Sequence, residues 1–145
     1  MNAKLSIPLL LVVSAVVAPD RVEAGAACAV AKRLGNSLAM EWVADARESA
    51  ASAQQKAIQR LLAKGYRKRG QDVFAQAASD LSHAHVVIIE TTYTTRIGRQ
   101  RTSYGCGFDA HSARDAEWAA LRDLQAHSWG WVPDMGYKVI ENSRY

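Results

Sequence analysis

Apolar and polar residues follow two different periods along this chain, and the periods alternate in a fixed order. Residues 50–61 and 113–124 place alanine, isoleucine and leucine three and four positions apart, which predicts amphipathic helices with one buried face. Val86–Ile89 is a β-branched run, which favours a strand over a helix. Short extended runs precede each predicted helix, and one more follows it. The pattern therefore predicts strand, strand, helix and strand in each half of the chain.

The two halves also resemble each other in sequence. Residues 49–61 match residues 112–124 at a constant spacing of 63, and the flanking segments follow in the same order at a spacing of 66. Alanine-rich helices match one another easily, but the shared order of the flanks favours an internal duplication. We expect two repeats, at about residues 26–75 and 85–141.

The predicted elements define one α+β domain over residues 25–145. Asn36 and Gly98 lie where hairpin turns are needed, and Gly65 is suited to ending the first helix. We expect a mainly antiparallel sheet, shared by the two repeats, with both helices packed on one face. Residues 75–84 connect the repeats and are predicted to carry a helical turn. The predicted strands are residues 28–34, 37–44, 72–75, 85–95, 101–109 and 137–141.

One segment of the second repeat suggests a family. Ser103–Phe108, followed by the Ala-x-x-x-Ala-Leu helix at Ala116–Leu121, resembles a family of small exported bacterial domains of unknown function. In that family a short hairpin with glycine and serine precedes such a helix and a further strand. The resemblance covers both halves and implies an exported bacterial α+β domain, without implying an activity.

The first 24 residues have the pattern of a signal peptide. Lys4 gives a positive start, residues 5–18 form an apolar run, and Val22–Ala24 provides small residues before a cleavage site at Gly25. A membrane span needs about 20 apolar residues, so this run is too short to be a stable anchor. We expect export to the periplasm or secretion, with no membrane span in the mature chain.

Export changes the interpretation of the two cysteines. In an oxidising compartment Cys28 and Cys106 are expected to form a disulfide bond, which would join the two repeats. An alternative is a nucleophilic Cys106 with His111 as its base. The sequence marks no third orienting group, so the disulfide is the favoured interpretation.

Four side chains near the predicted second hairpin suggest a metal site. If the turn centres on residues 97–98, residue 85 lies opposite residue 110, and a register slip of one residue decides whether the imidazoles meet or turn away. Imidazole and carboxylate ligands suit zinc or copper. The alternative is that these are ordinary half-exposed residues at a sheet end. The predicted ligands are His83, His85, Asp109 and His111.

The chain is basic, with a formal net charge of +4 and a pI near 9.3. One cluster is residues 67–69, and the other comprises Arg96, Arg99 and Arg101 at the predicted second turn. Such charges fit an acidic partner protein, an anionic polymer or nucleic acid, although solubility alone also accounts for them. The chain has no motif of an RNA-binding domain, so nucleic acid is disfavoured.

Tryptophan is the last unusual feature. Trp118 matches the polar Gln55 of the first helix, so it is expected to stand exposed as a binding anchor or to pack under residues 129–135. Residues 128–131 could form an exposed aromatic recognition loop. Because Trp129 matches Tyr66, we expect it instead to cover the end of its helix in the same way.

No phosphate-binding glycine loop, serine-elbow motif or close carboxylate pair occurs in the sequence. The sequence therefore favours an exported, non-enzymatic binding protein of the inhibitor or immunity type. Its expected protein contacts are Trp118 and the arginines of the second turn. The alternative is an exported metal-binding protein or metal-dependent enzyme that uses the histidine and aspartate cluster.

Overall fold

The computed structural model describes residues 24–145, so the predicted signal peptide lies outside the described residues except for Ala24. Strand, strand, helix and strand occur twice in this range, which confirms the predicted duplicated α+β fold. A short 3-10 helix precedes the last strand. The elements are β1 (Gly25–Arg33), β2 (Asn36–Asp45), α1 (Ala50–Ala63), β3 (Asp72–Ser79), β4 (His85–Thr94), β5 (Gln100–Asp109), α2 (Ala113–His127), the 3-10 helix (Pro133–Met135) and β6 (Lys138–Arg144).

Both helices begin in the same way. The Ser49 hydroxyl accepts a hydrogen bond from the backbone N–H of Ser52 at 3.2 Å, and the Ser112 hydroxyl accepts one from Asp115 at 3.0 Å. Each helix then buries three residues at matching positions. These are Ala53, Ala57 and Leu61 in α1, and Ala116, Ala120 and Leu124 in α2. The helical part of the duplication is therefore confirmed.

The strands form two antiparallel three-stranded sheets, in the orders β2-β1-β3 and β5-β4-β6, rather than the single shared sheet that we expected. The reason lies in the central strands. Residues 26–31 of β1 and Val86–Ile89 of β4 are buried on both faces. One face of each sheet packs against its own helix, and the other faces pack against each other.

The third strand of each repeat contains a bulge where it pairs with the central strand. Gln76 is the extra residue in β3, and Ile140 is the extra residue in β6. The structural counterpart of Ile140 is therefore Gln76, not Phe74 as the sequence alignment predicted. The predicted helical turn at residues 75–84 is wrong because β3 continues to pair with β1 as far as Ser79.

A disulfide bond joins the two sheets. Cys28 of β1 and Cys106 of β5 are bonded, with Cα atoms 6.4 Å apart, as the sequence predicted. The bond lies in an apolar cluster with Val86 and Ile88, against which Trp42 packs. The two repeats are therefore linked covalently at the centre of their interface.

Candidate binding surface

Two glycines set the position of α2. Gly105 and Gly107 of β5 face the helix, where a Cβ atom would collide with the carbonyl oxygens of Ala120 and Ala116 respectively. Glycine is required here because the backbones of helix and strand approach so closely. Helix α2 therefore packs closely on β5, which is an edge strand of its sheet.

Polar side chains complete this arrangement along the outer edge of β5. An exposed strand edge leaves backbone groups without partners, and here side chains from other elements supply them. The three bonds are Thr102 N–H to Asn36 Oδ1 at 2.7 Å, Gln76 Nε2 to the Tyr104 carbonyl at 2.8 Å, and Cys106 N–H to Asp123 Oδ2 at 2.8 Å.

Asp123 is largely buried, with 12% of its side chain exposed. Gln76 donates to it at 2.7 Å, and His127 Nδ1 lies 3.1 Å from its second oxygen. Burial raises the pKa of the Asp123 carboxyl, while the bonds from Gln76 and Cys106 act in the opposite direction. The carboxyl group therefore ties α2, β5 and the first repeat together.

The position of α2 leaves β6 uncovered. In the first repeat, α1 packs against all three strands of its sheet, whereas α2 packs against β5 and β4. Tyr137, which precedes β6, and Val139, near its start, consequently remain exposed beside the helix. The two repeats share one topology, but only the second presents apolar side chains here.

Trp118 lies at this uncovered region with 53% of its surface exposed. A cleft of about 190 Å³ separates α2 from the chain at Tyr137, and Trp118 and Leu121 line it together with Arg114 and Glu117. The Tyr137 hydroxyl donates a 2.6 Å hydrogen bond to Glu117, and this bond raises the pKa of Tyr137. We call the group Trp118, Leu121, Tyr137 and Val139 the α2–β6 surface.

The three arginines that the sequence grouped with Trp118 lie elsewhere. Arg96 and Arg99 are exposed on the loop between β4 and β5, and Arg101 packs its guanidinium against Gly35 in the β1–β2 turn. The loop belongs to the end of the molecule at which α2 terminates, whereas Trp118 is in the first half of that helix. The structure therefore separates the predicted partner residues into two surfaces.

The predicted metal ligands are only partly brought together. His85 lies opposite Asp109 in the β4–β5 pairing, one residue from the predicted register. His111 Nδ1 is 3.5 Å from Asp109, whose pKa is lowered mainly by the backbone N–H of His111, while His83 is exposed. Within residues 24–145 no three such side chains are placed to hold one metal ion. Zinc or copper binding by His83, His85, Asp109 and His111 stays a prediction.

The prediction for Trp129 is wrong. Trp129 is 92% exposed, and Trp131 takes the buried position, with its indole N–H donating to the Gly136 carbonyl at 3.2 Å. The chain turns away after α2 through Gly130, whose φ is +89°. This turn projects Trp129 into solvent instead of folding it back over the helix.

Asp123 holds α2, the helix that carries the α2–β6 surface, in place, and the sequence analysis did not identify it. Its counterpart at the helix spacing of 63 is Arg60, so an acidic residue replaces a basic one beside the buried Leu124. That break in the match is of the same kind as Trp118 against Gln55. The mismatch between Asp123 and Arg60 is visible in the sequence. Its structural role depends on the hydrogen bond from Gln76, which lies far from Asp123 along the chain.

Comparison with family models, with curated protein sequences and with solved structures finds no match to this chain. The helices in the part of the chain that the structure describes are too short or too polar to span a membrane. Neither α1 nor α2, nor any other helix of residues 24–145, has the length and apolar content to cross a bilayer.

Proposed function

We propose that this protein is an exported, non-enzymatic binding protein of the inhibitor or immunity type, which contacts a partner protein through the α2–β6 surface. The observation that carries the proposal is the exposed Trp118 beside Tyr137 and Val139. Periplasmic or extracellular placement is supported by the Cys28–Cys106 bond, which suits an oxidising compartment. The resemblance to small exported bacterial domains is in line with this placement.

The local physics favours binding over a purely structural role for Trp118. An exposed indole contributes little to folding, whereas tryptophan is enriched among residues that dominate protein interfaces. Trp118 is carried by a helix that Asp123 and the close β5 contact hold in place, so its position is fixed before a partner arrives. The first repeat, with Gln55 at the same helical position, has no equivalent feature.

Replacing Trp118 by glutamine copies the first repeat and tests the two roles separately. We expect the free energy of unfolding to change by less than about 0.5 kcal/mol, since the side chain is exposed. Affinity for the partner should fall about 30-fold, because truncating a central interface tryptophan costs about 2 kcal/mol or more. Urea denaturation measures the change in stability. Titration with the partner protein measures the change in affinity.

The matched control is Gln55→Ala in the first helix, which should leave both stability and affinity near the wild-type values. A fall in stability of more than about 2 kcal/mol for Trp118→Gln would show that the indole is part of the core. That result would remove the proposed surface.

A further inference from the structure

The end of the molecule at which α2 terminates is built from four neighbouring loops. We call this end, residues 32–36, 66–71, 95–101 and 128–130, the basic end. Hydrogen bonds and close contacts connect three of these loops, some of them through flanking residues. They are Lys32 Nζ to the His127 carbonyl at 3.0 Å, the Tyr93 hydroxyl to the Trp129 carbonyl at 3.1 Å, and the Arg101 guanidinium against Gly35.

Charge is distributed unevenly over this end. The hairpin segments 28–40 and 91–108 contain no acidic residue. The α1–β3 loop, residues 64–71, also contains none, and Asp72, which follows it as the first residue of β3, pairs with Lys32 of β1. The exposed basic side chains are Arg33, Arg67, Lys68, Arg69, Arg96 and Arg99. This excess favours an anionic partner.

Three large apolar side chains project from the same loops. Trp129 is 92% exposed, Leu34 is 79% exposed and Ile97 is 75% exposed, which makes them the most exposed large apolar residues in the described part of the chain. Leu34 and Ile97 each lie within two residues of an arginine along the chain. Apolar tips surrounded by basic side chains suit a surface that is apolar inside and anionic outside.

Leu34 is also unfavourable for the local backbone. It occupies the first position of the two-residue β1–β2 turn with a φ of +50°, and Gly35 follows with a φ of +76°. Asparagine and glycine are favoured at such positions, and leucine is not. Neither the turn nor the core accounts for an exposed leucine here, which favours a role in contact with something outside the chain.

We propose that the basic end docks onto the surface of an anionic lipid bilayer, with Leu34, Ile97 and Trp129 inserted among the headgroups and the arginines against lipid phosphates. Tryptophan is favoured at membrane interfaces, and each basic residue near an anionic surface adds to the attraction. The interaction is peripheral and uses none of the residues of the α2–β6 surface.

The exposed apolar side chains Leu34, Ile97 and Trp129 favour a bilayer over nucleic acid as the ligand of the basic end. Proteins that bind single strands rely on aromatic rings on which bases stack, and duplex binding is dominated by phosphate contacts. Leu34 and Ile97 serve neither purpose. A bilayer accommodates all three tips at once, because its interface receives projecting side chains without a matching pocket.

Co-sedimentation of residues 25–145 with vesicles tests the proposal. We expect binding to vesicles that contain phosphatidylglycerol and at least about tenfold weaker binding to pure phosphatidylcholine, since several basic residues contribute. Leu34→Asn and Ile97→Asn should each lower the partition coefficient about tenfold by removing an inserted side chain. Arg96→Gln should lower it about fivefold.

Loss of folding should not account for the weaker vesicle binding of these variants. Asparagine is favoured in the left-handed conformation of residue 34, so Leu34→Asn should keep or raise the melting temperature while it weakens binding. Leu81→Asn, an exposed leucine between the repeats at the opposite end of the molecule, is the matched control and should bind like wild type. Vesicle binding should shift the tryptophan emission to shorter wavelength, and Trp129→Phe should abolish most of that shift.

Three results would overturn the proposal. One is the absence of binding to the anionic vesicles. Another is binding that Leu34→Asn and Ile97→Asn leave unchanged, which would reduce the interaction to charge attraction. The last is tighter binding to a DNA duplex than to the anionic vesicles at the same salt concentration, which would assign the basic end to nucleic acid.

Discussion

Replacing Cys28 and Cys106 together by alanine will lower the free energy of unfolding by about 4–5 kcal/mol. The bond joins residues 78 positions apart, and a cross-link of that span removes much of the conformational freedom of the unfolded chain. The bond also joins the two sheets at the centre of their interface. Urea denaturation of residues 25–145, with and without the double substitution, measures the difference.

Chemical reduction supplies the control for that experiment. The wild-type protein treated with a reductant should lose nearly the same stability as the double variant, whereas the variant should not respond to it. A loss below about 1 kcal/mol in both cases would show that the repeats hold together without the bond, contrary to our interpretation.

Asp123→Ala is expected to cost about 2–3 kcal/mol. The substitution leaves the Cys106 N–H without an acceptor and removes one of the two acceptors of Gln76, and buried donors without partners are costly. Asp134, an exposed acidic residue of the 3-10 helix, provides the matched control, and Asp134→Ala should change stability by less than about 0.5 kcal/mol. Equal effects of the two substitutions would contradict the role given to Asp123.

Asp123→Asn separates the hydrogen bonds from the charge. The pKa of Asp123 is raised in the folded protein, mainly by burial, so folding favours the protonated carboxyl. Its contribution to stability is fully present below the unfolded pKa and is lost as the pH rises through the folded pKa. The asparagine variant keeps an acceptor for Cys106 and should lack this decline. Denaturation curves across that pH range compare the two proteins.

The elements that the sequence predicted are those that depend on local pattern. The spacing of alanine and leucine identified both helices. The pairing of Cys28 with Cys106 followed from their being the only two cysteines. Such inferences need no knowledge of how the repeats face each other.

One incorrect prediction, the single shared sheet, concerns how the repeats meet. A separate sheet for each repeat requires both faces of β1 and β4 to be buried, and the sequence does not say against what. Strand β6 is left uncovered because Gly105 and Gly107 allow α2 to pack closely on β5 and Asp123 holds the helix there. These contacts join residues from different elements, so no periodicity along the chain reveals them.

Site-specific photo-crosslinking tests the central proposal, that the α2–β6 surface binds a protein. A photoreactive phenylalanine analogue is placed at position 118, and in a second sample at position 55, the equivalent exposed position of the first helix. Both samples are irradiated in the cells that produce the protein. We predict a discrete adduct of added mass from position 118 and none from position 55. No adduct from position 118, or the same adducts from both positions, would contradict the proposal.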